Sequence, residues 1–294
     1  MRVLIVGAGG QLGRALRATD WPCATALVAL DRGVLDVADP DAVAREVTGW
    51  HPDIVINAAA YTAVERAESA PEAAFAVNRD GPGHLAAACR AVGAALVHVS
   101  TDYVFDGAAN RPWQPDDPVR PLGVYGASKA GGEDAVRAAL DRHVIVRTAW
   151  LHAGHGHNFV ATMLRAGRAH RQLRVVNDQI GAPTPAAELA SALATIAARI
   201  GAATGAFGTY HYCAGPAVSW HGFAEAIFEA AGGLGFPKPK VAAIASDQWP
   251  TAAPRPRYAV LDCSTLERDY RIRPPDWRTR LPATVAALIA RDTG

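Results

Sequence analysis

Short apolar runs alternate with helical patterns along the first half of the chain. The runs, rich in Val, Ile and Leu, predict strands at residues 2–6, 25–30, 53–57, 95–100 and 143–150. The stretches between them have helical periodicity, and Asp39-Pro40 is typical of a helix start. Strand and helix in alternation predict a parallel sheet with helices on both faces, the doubly wound α/β or Rossmann-type architecture.

The second half has a weaker pattern. Helices are predicted at residues 158–169, 185–200, 219–231 and 282–290, and short strands at 173–176 and 209–213. The rest, from residue 232 onward, is proline-rich and predicted to be mostly loops. The pattern divides the chain into a doubly wound domain over 1–150, to which 178–213 returns, and a smaller domain formed by 151–177 and 214–294.

Composition and charge exclude several classes of function. Half of the 294 residues are hydrophobic, 19% are charged, and the formal net charge is +1 without a basic run, so we predict no nucleic-acid partner. No apolar stretch reaches about 18 residues, and the apolar start soon meets glycines, so we predict neither a membrane span nor a signal peptide. The scattered cysteines predict buried thiols in a reducing compartment, the cytoplasm: Cys23, Cys89, Cys213 and Cys263.

A glycine-rich turn follows the first predicted strand. Gly7, Gly10 and Gly13 have the spacing G-x-x-G-x-x-G between that strand and the first helix. In dinucleotide-binding turns the first glycine permits a tight turn, the second admits the pyrophosphate, and the third lets helix and strand pack closely. The helix N-terminus then supplies an anion site. We therefore predict a dinucleotide cofactor here, although a plain glycine-rich turn has the same composition.

Two residues after the second predicted strand bear on the choice of cofactor. Asp31 lies at the position from which an acidic side chain binds the ribose 2′-hydroxyl of NAD. Its neighbour Arg32 is suited to the 2′-phosphate of NADP. The sequence therefore leaves both NADH and NADPH open.

Tyr125 and Lys129 are four residues apart in a segment that is predicted to be helical. That spacing places the phenol and the ammonium on one face, one turn apart. A nearby cation favours the phenolate, lowers the pKa of the phenol and makes tyrosine a usable acid at neutral pH. The same spacing is common by chance on surface helices with a solvated lysine, so the pair alone does not establish a site.

Several segments together resemble a known enzyme family. They are the glycine turn with GQLG at 10–13, LDVAD at 35–39, NAAAYTAVERAE at 57–68, STDYVFDG at 100–107, VYGASK at 124–129, RTAWLHAGHGHNFVATML at 147–164 and DQIGAPTP at 178–185. The set is similar to the extended short-chain dehydrogenase/reductase superfamily and, more narrowly, to its dTDP-4-dehydrorhamnose reductase family. The resemblance implies reduction of the 4-keto group of a dTDP-sugar, dTDP-4-dehydro-β-L-rhamnose, by NADPH or NADH. It also implies that the first domain binds NAD(P) and the smaller one binds substrate.

The resemblance implies roles for individual residues as well. Tyr125 would be the proton donor, Lys129 would lower its pKa and hold the nicotinamide ribose, and Thr101 would hydrogen-bond the carbonyl oxygen. Other residues would contact the cofactor: Gly10, Gln11 and Leu12 at the pyrophosphate, Asp36 and Val37 at the adenine end, and Ala58, Ala59 and Ala60 at the ribose. A further group would line the substrate site: Thr62, Val64, Thr101, Asp102 and Trp150.

Some residues depart from the family pattern and keep alternatives open. Leu151-His152 replaces the usual Val-Tyr, and Ala259 stands where the family tends to have serine. The substrate could therefore be another dTDP-4-keto-6-deoxyhexose, or the chain could be a non-catalytic regulatory subunit of the same fold. The intact catalytic residues argue against a regulatory subunit.

Four residues have both a functional and a structural interpretation. Trp150 is a substrate contact or a core aromatic residue. Asn78 is part of a proton relay behind Lys129 or, as we favour, a buried hydrogen-bonding side chain. Arg255 and Arg257 bind substrate phosphates or are solvated in a proline-rich loop.

A metal site is not evident from the sequence. His152, His155 and His157 do not have the spacing of a zinc site, and the glycines between them predict a loop. Some members of the resembled family dimerise through a metal, so Mg²⁺ is a conceivable addition, and the chain is predicted to be a monomer or a homodimer.

Overall fold

The computed structural model describes residues 1–22 and 24–291. The strands are β1 (Arg2–Val6), β2 (Ala26–Leu30), β3 (Ile54–Asn57), β4 (Ala95–Thr101), β5 (His143–Thr148), β6 (Leu151–His152), β7 (Gln172–Val176), β8 (Ile180–Gly181), β9 (Thr184–Pro185), β10 (Gly208–His211), β11 (Val218–Ser219) and β12 (Lys240–Ile244). The helices are α1 (Gln11–Ala18), α2 (Pro40–Trp50), α3 (Val64–Ser69), α4 (Pro71–Phe75), α5 (Gly81–Val92), α6 (Val124–Ala139), α7 (Phe159–Ala169), α8 (Ala186–Gly201), α9 (Trp220–Gly232), α10 (Ser264–Tyr270) and α11 (Leu281–Arg291).

The central sheet has six strands in the order β10-β5-β4-β3-β1-β2, and every pair in it is parallel. Alternate residues of each strand point to opposite faces. In β1, Val3 and Ile5 pack with α1 and α8, whereas Leu4 and Val6 pack with α2 and α5. The predicted doubly wound Rossmann-type fold is confirmed, and it places the carboxyl ends of the strands along one edge.

Local signals account for several element boundaries. The side chain of Asp39 accepts hydrogen bonds from the backbone N–H groups of Asp41 and Ala42, both at 3.0 Å, and so caps α2. β5 ends two residues earlier than predicted because Trp150 has a φ of 46°, a left-handed conformation that interrupts the strand. The chain then turns into the short strand β6.

A second layer of structure lies at the carboxyl edge of the sheet. β7 pairs in parallel with β12, and α7, α9 and α11 pack around an aromatic core that includes Phe223, Phe228 and Trp277. β10 joins the central sheet beside β5, and α8 packs against α1. The division into a cofactor domain and a substrate domain stays a prediction.

The region after residue 232 differs from its prediction. It contains β12 and α10 in addition to the predicted last helix, here α11. Both were hard to foresee, because β12 is partly exposed in a two-stranded sheet and α10 has only seven residues between loops. Leu266 and Tyr270 of α10 are fully buried against the central sheet. Short regular elements therefore fix this region to the rest of the molecule.

The remaining sequence-based expectations concern cysteines and membranes. Cys89 and Cys213 are buried, Cys263 is partly buried, and Cys23 lies outside the described residues. Within the described part of the chain, no helix is long and apolar enough to cross a membrane.

Candidate active site

Three adjoining cavities open at the carboxyl edge of the sheet, the place where open α/β folds bind ligands. The glycine-loop cavity, about 630 Å³, lies over the turn that follows β1. The Tyr125 cavity, about 470 Å³, lies beside it between β4 and α6. The tryptophan cavity, about 420 Å³, continues from the Tyr125 cavity among Phe159, Trp220 and Trp249.

Nearly all residues predicted for the site line the first two cavities. The glycine-loop cavity is lined by Gly7, Gly10, Asp31, Arg32, Asp36, Val37, Ala58, Ala59 and Ala60. The Tyr125 cavity is lined by Gly10, Gln11, Leu12, Ala58, Ala59, Ala60, Thr62, Val64, Thr101, Asp102, Tyr125, Lys129 and Trp150. Gly13 instead lies under the glycine turn. The structure thus gives these residues positions, and their roles remain predictions.

The glycine turn has the close approaches that its spacing predicts. Gly7 has a φ of +86°, and a Cβ there would lie 2.5 Å from the backbone nitrogen of Ala59. A Cβ on Gly13 would lie 2.2 Å from the carbonyl oxygen of Gly7. α1 begins directly after Gly10, so the first N–H groups of this helix, which have no intrahelical acceptor, lie beside the cavities. The turn therefore has a geometry that is suited to an anionic group.

Asp31 and Arg32 both face the glycine-loop cavity. Asp31 Oδ1 accepts a hydrogen bond from the Gly33 N–H at 2.9 Å. Arg32 forms a solvent-exposed ion pair with Asp36 at 3.3 Å, the kind of contact that contributes little stability. This exposed ion pair does not fix the guanidinium firmly, so this end of the cavity presents one acidic and one basic side chain.

Tyr125, in the first turn of α6, lines the cavity between β4 and α6. Its ring contacts that of Tyr103 edge to face, with centroids 5.4 Å apart. Burial raises the pKa of the Tyr125 phenol, and the negative charge of Asp102 raises it further, while the Thr101 hydroxyl lowers it. The predicted lowering of the Tyr125 pKa by Lys129 is therefore wrong for the structure. Burial outweighs the lowering that the Thr101 hydroxyl causes. The phenol is protonated throughout the neutral range.

Lys129 is almost completely buried, one turn after Tyr125. Its Nζ donates a hydrogen bond to the Val99 carbonyl oxygen at 2.7 Å and lies 3.4 Å from His98 Nε2. Burial lowers the pKa of Lys129 to about 8, and the carboxylate of Glu133 opposes that shift. The predicted surface alternative, a solvated lysine, is wrong, since only 2% of the residue is exposed.

Thr101 and Asp102 form a second polar group in the same cavity. Thr101 Oγ1 donates a hydrogen bond to Asp102 Oδ1 at 2.9 Å and accepts one from the Tyr103 N–H at 3.2 Å. The other oxygen, Oδ2, is buried and has no hydrogen-bond partner among the described residues. Burial raises the pKa of Asp102 to about 7, and the Thr101 hydroxyl opposes the rise. An orphaned acceptor inside a cavity is suited to a ligand hydroxyl.

Trp150 forms a wall of the Tyr125 cavity. Its indole stacks on Trp220 with centroids 3.3 Å apart and planes inclined by 6°. The backbone of Gly181 also packs closely against the indole, since a Cβ on Gly181 would lie 2.3 Å from Trp150 Cε2. Trp150 therefore lines the cavity and packs against the cores on either side, so its two interpretations are compatible.

Asn78 and Arg255 are also assigned by their contacts. Asn78 bonds to the backbone N–H and carbonyl of Tyr61 and to Ser128, which confirms its interpretation as a buried hydrogen-bonding residue. Arg255 lines both the Tyr125 and tryptophan cavities and pairs with Glu65 at 2.6 Å. It is therefore tethered at the site rather than free in solvent.

The histidines of the loop after β6 have separate environments. His152 is buried, which lowers its pKa to about 4, whereas His157 is exposed at the cavity mouth. Across residues 1–22 and 24–291, no three His, Cys, Asp or Glu side chains are placed to hold a metal ion together. The expectation of Mg²⁺ gains no support from these positions.

Comparison with known proteins agrees with this geometry. A family model described as "RmlD substrate binding domain" matches residues 1–290. The chain belongs to this RmlD family. A dTDP-4-dehydrorhamnose reductase of Sinorhizobium fredii is 40% identical over 98% of both chains. One from Streptomyces griseus is 43% identical over 99% of this chain and 95% of its own.

Solved RmlD-family structures have the same fold. The dTDP-4-dehydrorhamnose reductase of Clostridium acetobutylicum is 37% identical, with a TM-score of 0.92 over 98% of this chain and 100% of its own. That of Bacillus anthracis, solved in complex with NADP, is 35% identical with a TM-score of 0.89 over 97% and 98%.

The positions that depart from the RmlD-family pattern lie in well-packed places. Ala259 is 2% exposed and its N–H donates to the Ile180 carbonyl at 2.8 Å. His152 is buried against Phe223. The sequence reasoning missed other cavity residues, notably Phe159, Trp220 and Trp249. Phe159 lies within the segment 147–164, but nothing in that segment marks it as a cavity residue, and Trp220 and Trp249 lie outside the family segments. Phe159 and Trp220 each open a helix, whereas Trp249 follows a short 3₁₀ turn.

Proposed function

We propose that this chain reduces the 4-keto group of dTDP-4-dehydro-β-L-rhamnose with NADPH or NADH and releases dTDP-L-rhamnose. The observation that carries the proposal is the convergence of Tyr125, Lys129 and Thr101 in one cavity that adjoins the glycine turn. The names of the full-length relatives support the choice of substrate. We place the reaction in the cytoplasm and expect a monomer or a homodimer.

The residues around the glycine turn fit a nicotinamide dinucleotide. Gly10, Gln11 and Leu12 would hold the pyrophosphate with the N-terminus of α1, which is suited to an anion. Asp36 and Val37 would contact the adenine end, and Ala58–Ala60 the ribose edge. When bound, the reduced nicotinamide supplies the hydride that the chain itself lacks.

Tyr125 would donate the proton in this reaction. The ketone oxygen gains negative charge as C4 of the sugar is reduced, and a phenol within hydrogen-bond reach both stabilises and protonates it. Because its pKa is raised, Tyr125 is present as the protonated acid at neutral pH. Thr101 would orient the same oxygen through its hydroxyl, and the ammonium of Lys129 would stabilise the phenolate left behind.

The substrate would extend from the Tyr125 cavity into the tryptophan cavity. Asp102 would accept a hydrogen bond from a sugar hydroxyl through its orphaned Oδ2, and Trp150 would form the wall beside it. Thr62 and Val64 would line the region next to the nicotinamide. Arg255 at the junction of the cavities is a cation at the place where the substrate diphosphate would pass.

The proposal is tested by product identification after incubation of the purified protein with the keto sugar and each reduced nicotinamide. We expect oxidation of NADPH or NADH and formation of dTDP-L-rhamnose. A different dTDP-6-deoxyhexose as the preferred substrate would favour the alternative in secondary metabolism, and the absence of any turnover would favour the regulatory subunit.

The Tyr125→Phe variant tests the mechanism. Loss of the proton donor should reduce kcat by about 10²- to 10⁴-fold while both ligands still bind. Tyr210→Phe is the matched control, because it removes a buried-core hydroxyl that bonds Asp269 at 3.1 Å. Unchanged turnover in Tyr125→Phe would contradict the assignment of the acid.

A further inference from the structure

The loop between β6 and α7 is hydrogen-bonded to the glycine turn through one side chain. Gln11, the first residue of α1, donates from Nε2 to the His157 carbonyl oxygen at 3.1 Å. Its Oε1 accepts a hydrogen bond from Asn158 Nδ2 at 2.9 Å. Gly156 has a φ of +72°, and a Cβ there would lie 3.2 Å from Gln11 Cγ. Both ends of one amide are therefore used to hold the loop.

Asn158 completes this connection. It is 6% exposed, and its Oδ1 accepts from the Ala161 N–H at 3.0 Å, which caps α7. The two hydrogens of its Nδ2 are shared among Gln11 Oε1 and the carbonyl oxygens of Ala153 at 2.9 Å and His155 at 3.2 Å. One buried side chain thus fixes the loop, the start of α7 and Gln11 together.

The two ends of this connection meet at the Tyr125 cavity, which Gln11 and His157 both line, and extend from it to the other two cavities. Gln11 follows Gly10, which lines the glycine-loop cavity, and α1 starts at that point. His157 and Phe159 flank Asn158 and line both the Tyr125 and tryptophan cavities. The contact between Gln11 and Asn158 therefore joins the turn that would hold the pyrophosphate to the wall that would hold the dTDP-sugar.

We propose that Gln11 and Asn158 couple the two sites, so that the dinucleotide and the dTDP-sugar each tighten the binding of the other. A ligand that orders the N-terminus of α1 also orders the Gln11 amide, and the amide orders the loop that carries His157 and Phe159. The second ligand then binds to a wall that is already ordered, which is positive coupling. Asn158 is a positioning residue in this scheme, and the inference rests on the proposed function.

The coupling is measured by titration calorimetry of NADPH binding to the full chain, alone and with saturating dTDP. We expect dTDP to lower the Kd of NADPH by about fivefold or more, and NADPH to lower the Kd of dTDP by the same factor, as linkage requires. If NADPH and dTDP fail to bind at all, the proposed function itself is contradicted. If both bind with a coupling factor of one, only the coupling is overturned.

Variants of Asn158 separate the coupling from the helix cap. Asn158→Ser and Asn158→Asp keep an oxygen that can cap α7 but lack the amide donor to Gln11. We expect each to bind both ligands with a coupling factor near one. Asn158→Ala should lose the same coupling and, in addition, thermal stability.

A variant at the other end completes the test. Gln11→Met keeps the length of the side chain without its hydrogen bonds, and combined with Asn158→Ser it should cause no further loss of coupling. Tyr210→Phe, outside both sites, should keep the wild-type factor. Wild-type coupling in Asn158→Ser would overturn the inference, whatever its effect on stability.

Discussion

At the scale of single residues, burial decides the chemistry of the site. The α6 helix carries a phenol with a raised pKa and an amine with a lowered pKa one turn apart. Both shifts favour the neutral forms, because water is excluded from both groups. Lys129, with a pKa of about 8, and Asp102, with a pKa of about 7, are consequently the two groups of this cavity whose charges change nearest to neutral pH.

The pH dependence of turnover should report this lysine. The proposal needs its ammonium form, which is lost as the pH rises through about 8, so kcat/KM should fall above that pH. Tyr125 stays protonated over the same range. Lys129→Arg, which keeps a cation at high pH, should remove the fall although its activity is lower. A wild-type profile that stays flat to about pH 9.5 would contradict the assignment.

The same lysine affects stability with a definite sign. Its pKa is lower in the folded state than in the unfolded chain, so the unfolded state binds more protons between about pH 8 and its ordinary pKa. The contribution of Lys129 to the free energy of unfolding is therefore unfavourable below that window. The unfavourable contribution of Lys129 shrinks as the pH rises through this window, so the free energy of unfolding increases there.

At the scale of elements, the sequence predicts best where local chemistry and tertiary packing agree. Asp39-Pro40 marks the start of α2, and the glycine spacing marks the turn before α1, because caps and close approaches need particular residue types. α10 has neither signal. This helix is stabilised by the packing of Leu266 and Tyr270 against the central sheet, which is distant in sequence, so a local pattern could not predict it.

The cap of α2 gives a direct test at this scale. Asp39→Ala removes the acceptor for two backbone N–H groups and should cost about 0.5–2 kcal/mol of stability, measured by urea unfolding. Asp39→Asn keeps a capping oxygen and should cost clearly less. Equal losses in the two variants would show that the cap is not the cause.

At the scale of the whole molecule, the region after residue 232 is part of the folded core. The Tyr125 cavity likewise draws on residues from the glycine turn to Arg255, so its motifs were predictable while its aromatic wall was not. Trp150, between β5 and β6, stacks on Trp220, the first residue of α9, a relation that no local pattern contains.

Leu266→Ala tests whether the region after residue 232 is part of the folded core. The residue is fully buried in the main core, so its truncation should lower the free energy of unfolding by about 2–5 kcal/mol. Leu234→Ala is the matched control, since Leu234 is 52% exposed and its truncation should change stability by less than about 0.5 kcal/mol. Similar losses in both variants would contradict the placement of α10.

The stacked indoles of Trp150 and Trp220 have a consequence beyond packing. Two identical chromophores 3.3 Å apart in nearly parallel planes share their excited states. Their absorption and emission therefore belong to the pair, and the pair forms a wall of the cavity proposed for the sugar. We expect the spectrum of this pair to change when a sugar binds in that cavity.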